Sequence, residues 1–308
     1  MSPKKGFLLP VFLCMLLMYT TYVLLDTFVI VRRMSAATEA ANTSASDTLD
    51  SFLPVASAET ENSTVPVLTD NTYSDNGISI SISEERIGDT TVYVADVQLS
   101  SANSLKTALA ENAYGRNITD TTSAIAESVN AVLAINGDYY GVQQSGYVIR
   151  NGVLYRSKAK KGAEDLVIYK DGSFAIIQES EVTAQELLEN GAWNVLSFGP
   201  ALIENGELAV SVNDEVGRAK ADNPRTAIAV IDELHYLFVV SDGRTSESKG
   251  LSLYELASYL QAKGAQIAYN LDGGGSSTMV FNGEVVNNPT SGGERIKERS
   301  VSDIVYIG

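Results

Sequence analysis

Histidine and cysteine are nearly missing: among 308 residues there is one of each, Cys14 and His235. A structural zinc site needs about four Cys or His ligands, and a disulfide needs two cysteines. A Cys-His nucleophile pair would require Cys14 to leave the apolar segment that contains it. His235 sits in the run Leu234-His235-Tyr236-Leu237-Phe238-Val239-Val240, which reads as a strand, so it is expected to be structural. Positive charge is also scarce, with 22 Lys and Arg against 38 Asp and Glu. A net charge of -16 excludes a surface built to neutralise a nucleic-acid backbone. Ionisable chemistry is left to Asp, Glu, Arg, Lys and Tyr.

One long apolar run is present. Residues 7–31 are apolar apart from threonines, Pro10 and Asp26, long enough to cross the ~30 Å hydrocarbon core as a helix. A cleavable signal peptide has an apolar core of only about 7–15 residues with a small-residue site close behind. Here the run is longer, and Ala56-Ser57-Ala58 lies far downstream. Residues 1–33 are therefore expected to be an uncleaved, single-pass signal anchor in the cell membrane, with the bulk of the chain outside the cytoplasm. Lys4, Lys5, Arg32 and Arg33 flank the run on both sides and decide the orientation only weakly.

Residues 34–76 are rich in Ala, Ser, Thr, Asp, Glu and Asn and bury too little apolar surface to offset ordering entropy, so a disordered polar linker is expected. Residues 77–308 then form one domain. Ile78-Ser79-Ile80-Ser81-Ile82 alternates with period two. Asn151-Gly152, Asp171-Gly172, Asn205-Gly206 and Asn282-Gly283 each separate apolar runs as hairpin turns. Helical patterns fall near 105–112, 123–130, 183–190 and 253–263; in the last, Ser252 and Glu255 have capping-box spacing and Gly264 supplies the stop. The expected class is α+β: a mostly antiparallel or mixed sheet with several helices in a single domain, behind one transmembrane helix.

Five segments stand out. Tyr269-Asn270-Leu271-Asp272-Gly273-Gly274-Gly275-Ser276-Ser277 follows a short strand, and its glycines admit close backbone approach to an anion. On its own such a cluster reads more often as a capped turn. It lacks the Lys-Ser/Thr of a Walker loop, and no G-x-S-x-G elbow is present. Asn136-Gly137-Asp138-Tyr139-Tyr140 offers a carboxylate and a stacking wall. Asn223-Pro224-Arg225-Thr226-Ala227, Ser241-Asp242-Gly243-Arg244 and Arg299-Ser300-Val301 bracket strands.

Taken in this order, the five segments resemble the phosphodiester glycosidase family, from about residue 133 to the C-terminus; N-L-D-G-G-G-S at Asn270–Ser276 is the specific part. The resemblance implies hydrolysis of a sugar-1-phosphodiester on an extracytoplasmic glycan or glycopolymer, releasing the sugar and leaving a phosphomonoester. Asp138, Asp272, Arg225 and Arg299 are the expected catalytic residues. The arginines with the Gly273, Gly274 and Gly275 amides would hold phosphate, and the aspartates would activate water or steady an oxocarbenium-like centre. Asn136, Gly137, Tyr139, Thr226, Asp242, Asn270, Ser276 and Ser277 are the expected substrate-binding residues. No cofactor is required; a divalent cation, Ca²⁺ or Mg²⁺, is left open. A non-catalytic module binding anionic glycopolymer and a metal-dependent phosphodiesterase cutting P–O are the alternatives.

Overall fold

A computed structural model describes residues 8–36, 66–214, 222–292 and 295–308. Helix Leu8–Phe28 contains an 18-residue window, Pro10–Thr27, with a mean hydropathy of 1.5 and none of it buried, so it is long and apolar enough to cross a membrane. Asp26 near its C-terminal end pairs with Arg32. The chain then meets the domain directly, because Arg32–Arg33 pairs antiparallel with Gly115–Arg116. A Cβ at Gly115 would stand 2.0 Å from the Arg32 carbonyl oxygen, so only glycine admits this pairing. Of the expected linker, residues 37–65 lie outside the described residues. Val67–Leu68 and Thr72–Ser74 are strands, so sheet structure starts ten residues ahead of the boundary expected at 77.

Among the described residues three antiparallel sheets share a core, as the alternation and Asn-Gly turns foretold. The largest runs in space Glu207–Leu208, Ala201–Glu204, Ile267–Asn270, Arg225–Asp232, His235–Ser241, Thr90–Leu99, Ile78–Ile87, Thr72–Ser74, Val67–Leu68. A second runs Glu284–Val285, Met279–Phe281, Leu133–Asn136, Asp303–Ile307, Leu105–Leu109. The third runs Val153–Arg156, Val148–Arg150, Ala192–Leu196, Glu164–Tyr169, Phe174–Gln178. Ile80 and Val97 from the first, Ile135 and Val305 from the second, and Leu166 and Ile168 from the third belong to one apolar cluster. Hydrophobic burial across all three sheets, at about 25 cal/mol per Å² of apolar area, is what draws them together.

Helices cover the outer faces. Leu253–Ala262 begins with the expected capping box between Ser252 and Glu255. Leu253, Leu256 and Leu260, one helical stripe, are buried with Leu202, Ala227 and Val239 of the large sheet. Thr122–Ser128 packs Ile125 and Ala126 on Ala134, Val280 and Ile304. Ala184–Glu189 is the third expected helix. The fourth is corrected: Leu105–Leu109 is a strand. Leu105, Thr107 and Leu109 are buried alternately, and the pairing partner is Asp303–Ile307, almost 200 residues away, which local periodicity does not reveal.

A buried ion triad ties the second and third sheets. Arg150 Nη2 lies 2.8 Å from Asp138 Oδ2 and 2.7 Å from Asp303 Oδ2, and its Nε donates to Asp303 at 2.8 Å. Burial pushes the Asp303 carboxyl above the ordinary aspartate range while Arg150 opposes the shift. Removing the guanidinium leaves two buried carboxylates facing each other. Arg150→Met is therefore expected to lose about 3–5 kcal/mol of stability in urea unfolding of the full-length chain in detergent; a loss below ~1 kcal/mol would show that the triad does not hold the sheets.

Candidate active site

Strand ends build the site. Ala227 pairs with Asn270 and Arg225 with Ser241, so the start of one strand and the ends of its two neighbours meet at one edge of the large sheet. Leu133–Asn136 of the second sheet ends beside them, and the buried Asn136 side chain joins the two layers. Its Nδ2 donates to the Asp272 carbonyl at 2.6 Å, while its Oδ1 accepts from Thr226 Oγ1 at 2.8 Å and from the Thr278 N–H at 3.2 Å. With both ends of the amide used, Asn136 and Thr226 place the Asp272 backbone and do not line the cavity.

The cavity, of about 120 Å³, is lined by Arg225, Arg244, Arg299, Asn223, Asn270 and Asp272, with Phe198 and the Gly273–Gly274 backbone. Arg225 is buried, its N–H donates to Ser241 Oγ at 2.9 Å and its Nε to the Leu251 carbonyl at 2.8 Å. Arg244, in the left-handed region at φ 63°, donates from Nη2 to Asn223 Oδ1 at 3.0 Å. Partial burial lowers the Arg244 pKa, and repulsion from Arg299 and Arg225 lowers it further. Three guanidinium groups close enough to disfavour one another form a cradle for an anion.

Asp272 is the one carboxylate lining this cavity among the described residues. Its Oδ2 accepts from Ser276 Oγ at 2.6 Å and from Arg299 Nη2 at 2.7 Å, and Arg299 Nε donates to Ser276 Oγ at 2.9 Å. This closed ring sets the orientation of the carboxylate. Burial raises the Asp272 pKa, with Arg299 and Ser276 pulling the other way.

The expected phosphate grip by the glycine amides is corrected at its centre. The Gly274 N–H donates to the Pro224 carbonyl at 2.8 Å, and Gly274–Ser276 turns as a short 3-10 helix in which the Ser276 and Ser277 N–H groups bond back to Gly273 and Gly274. These glycines matter through what they let approach. A Cβ on Gly274 would stand 2.6 Å from Arg244 Nη2, and one on Gly273 would stand 2.9 Å from the Pro224 oxygen. Gly275 lies against Ser291.

Of the other expected residues Asn270 lines the cavity, while Asp138, Gly137, Asp242, Ser277 and Tyr139 are outside its lining. Asp138 is separated from Asp272 in environment: Oδ1 accepts the Tyr140 N–H at 2.8 Å, and Oδ2 takes Arg150 and the Ser197 N–H at 2.9 Å. Gly137 packs on Asp303, where a Cβ would stand 2.4 Å from Oδ1. Asp242 accepts from Asn287 Nδ2 and from the backbone and side-chain nitrogens of Asn288, fixing that turn. Ser277 is buried, and its hydroxyl has no hydrogen-bond partner among the described residues. Tyr139 is exposed and meets Phe198, which lines the cavity, edge-on at 6.5 Å. Asn270 donates from Nδ2 to the Gly199 carbonyl at 2.8 Å, while its buried Oδ1 has no partner among the described residues.

Sequence reasoning passed over Arg244, Asn223 and Phe198. Arg244 was visible as the last residue of Asp242-Gly243-Arg244, and Asn223 precedes Pro224-Arg225; Phe198 carried no signal. Among the described residues no group of three or more His, Cys, Asp or Glu is arranged to hold a metal ion. His235 contacts Asp96 at 3.0 Å on a partly exposed part of the sheet, in keeping with a structural role. Because Gly274 combines φ +62° with Arg244 pressed against it, Gly274→Ala is expected to cost more than ~1 kcal/mol in thermal unfolding; an unchanged Tm would show that neither constraint operates.

The sequence profile described as phosphodiester glycosidase matches residues 129–308, which contain Asn136, Arg225, Arg244, Asp272 and Arg299. The chain is 30% identical over 189 residues to the SPbeta prophage-derived uncharacterized protein YomE of Bacillus subtilis, covering 59% of this chain and 29% of that one. It is 27% identical over 172 residues to mouse N-acetylglucosamine-1-phosphodiester alpha-N-acetylglucosaminidase, covering 51% and 33%. The match thus spans about a third of the length of these relatives. The solved catalytic domain of the zebrafish N-acetylglucosamine-1-phosphodiester alpha-N-acetylglucosaminidase has the same fold, with a TM-score of 0.60 at 22% identity over 80% of this chain and 84% of that one. With the profile covering more than half of its residues, the chain belongs to the phosphodiester glycosidase family.

Proposed function

We propose that this chain hydrolyses a sugar-1-phosphodiester on a glycan or glycopolymer outside the cytoplasm, releasing the sugar and leaving a phosphomonoester on its former partner. The observation that carries this reading is the convergence of Arg225, Arg244 and Arg299 on one cavity that also exposes the Asp272 carboxylate. Helix Leu8–Phe28 serves as the single-pass anchor, with the domain on the outer face of the membrane.

The chemistry follows from charge. Water attacks the anomeric carbon, the C1–O bond breaks, and its electron pair stays on the phosphate. A phosphomonoester has a second pKa near ~6, so the departing oxygen needs little proton donation. It needs positive charge, which the three guanidinium groups supply as negative charge grows on the leaving group. Asp272 accepts the proton of the attacking water and steadies the oxocarbenium-like centre. Its raised pKa makes it a better base than an ordinary aspartate. Ser276 and Arg299 orient it, and Asn136 holds its backbone. The Asn270 Oδ1 accepts a sugar hydroxyl, and Tyr139 with Phe198 flanks the ring. Asp138, whose oxygens are taken by Arg150 and two backbone N–H groups, acts as a positioning residue.

The rival reading as a binding module leaves Asp272 unexplained, since a carboxylate beside an anionic ligand weakens binding. Turnover of a synthetic sugar-1-phosphodiester in ¹⁸O water separates all three readings. Label in the released sugar supports C–O cleavage, label in the phosphate identifies P–O cleavage, and no product leaves only binding. Asp272→Asn is expected to lower kcat by roughly 10²–10⁴-fold; full turnover would remove Asp272 from the mechanism.

Activity should fall as pH drops through the Asp272 pKa, because the base must be ionised. Burial places that acid limb above the ~3.9 of a free aspartate. Arg299 holds the value down, so Arg299→Gln should move the limb to higher pH as well as lowering kcat. A limb that stays in place in this variant would show that another group is the base.

A further inference from the structure

Phe198 lines one side of the arginine-lined cavity. The same residue lines a second cavity, of about 300 Å³, together with Lys160, Glu164, Gln178 and Ser197. An aromatic ring, an amide, a hydroxyl and a carboxylate are the groups that bind a saccharide ring and its hydroxyls. Both Glu164 oxygens are engaged, Oε1 by the Ala201 N–H and Oε2 by Gln178 Nε2 at 3.2 Å, so the carboxylate is held in place as a hydroxyl acceptor.

Among the described residues Lys160 is the one cation in the lining of this second cavity, and it belongs to a lysine-rich stretch in a chain of net charge -16. Residues 156–161 read Arg-Ser-Lys-Ala-Lys-Lys. Arg156 is spent on structure, donating to the carbonyls of Gly146, Tyr140 and Gln143. Lys158, Lys160 and Lys161 are exposed. Their loop is nevertheless fixed: the Lys158 carbonyl accepts the Gly146 N–H at 2.8 Å, and the Lys160 N–H donates to the Glu179 carboxylate. Glu179 is itself buried and also accepts the Tyr147 N–H at 2.7 Å. A buried carboxylate thus fixes the backbone at Lys160, the lysine that lines the cavity, with Lys158 and Lys161 as its exposed loop neighbours. Asp165 and Glu179 lie behind the loop, and burial together with the Glu179 charge drives the Asp165 pKa up, so this acidic pair carries less negative charge than two free carboxylates.

We infer that the second cavity binds the next unit of the substrate and that this unit is anionic: the substrate class is an oligomer of phosphodiester-linked sugars that straddles Phe198. The scissile phosphate lies among Arg225, Arg244 and Arg299; in the second cavity Glu164 takes a sugar hydroxyl, and the neighbouring phosphate lies on the Lys160 side, with Lys158 and Lys161 on the same loop adding long-range attraction. This rests on the glycosidase reading above and adds the size and charge of what is cleaved.

The test uses the full-length chain in detergent and three synthetic substrates: a methyl sugar-1-phosphodiester, a tetramer of phosphodiester-linked sugars, and the methyl ester extended by a neutral oligosaccharide of equal length. At low salt the kcat/KM for the tetramer should exceed that for the methyl ester by roughly five- to tenfold, the scale of a few exposed charge pairs. The ratio should fall toward one as salt shortens the screening length. In Lys158→Ala/Lys160→Ala/Lys161→Ala the ratio should fall to about one at low salt as well. A ratio near one in the unaltered protein, an equal gain from the neutral extension, or a salt-independent ratio would overturn the inference while leaving the glycosidase reading intact. Failure to hydrolyse any of the three would overturn both.

Discussion

Three guanidinium groups held beside a single buried carboxylate repel one another, and the architecture of this protein is organised to bear that repulsion. Arg225 is tied to the Leu251 carbonyl, Arg244 to Asn223, and Arg299 to Asp272 and Ser276. Among the described residues the cavity lining brings three guanidinium groups and one carboxylate together within an acidic protein. Like charges gathered in one cavity cost Coulomb energy that an anion would offset, which is the electrostatic basis of the proposed phosphate site.

Rigidity is supplied from behind. Neutral amides do the work next to the cavity: Asn136 bridges two sheets with every hydrogen bond directed at a backbone or hydroxyl partner. One layer further back, Arg150 clamps Asp138 and Asp303 between two other strand ends. At Asn136 full hydrogen bonding matters, because a half-satisfied polar group in a dry interior costs more than an apolar one, whereas in the ion triad Asp303 Oδ1 has no partner among the described residues. The glycines complete the scheme by removing atoms: Gly274 lets Arg244 lie on the loop, and Gly137 leaves space for Asp303.

Much of the fold was legible from local chemistry. Asn151, Asn205 and Asn282 adopt positive φ ahead of glycines at the hairpins their dipeptides announced, since Asn tolerates that region and glycine prefers it. The capped helix at Leu253–Ala262 was readable from Ser252, Glu255 and Gly264 for the same reason. What resisted reading depended on partners distant in sequence. Leu105–Leu109 looked helical until Asp303–Ile307 claimed it as a strand. The Asp138–Arg150 pair forms between two sheets and has no local signal, and the Gly274 amide is taken by Pro224, 50 residues away. Asp272, Arg225 and Arg299 were readable as a set only through the order of motifs, and Arg244 went unselected although it stood two residues beyond Asp242.

Whether the arginine cradle is an anion site can be measured without any assumption about the reaction. Calorimetric titration of inorganic phosphate into the full-length protein at fixed ionic strength should give saturable binding, weakened about tenfold or more in Arg244→Ala, as expected when one charge-assisted hydrogen-bonding partner is removed. Absence of saturable binding, or equal affinity in the two proteins, would contradict the claim that these three side chains are assembled to hold a phosphate.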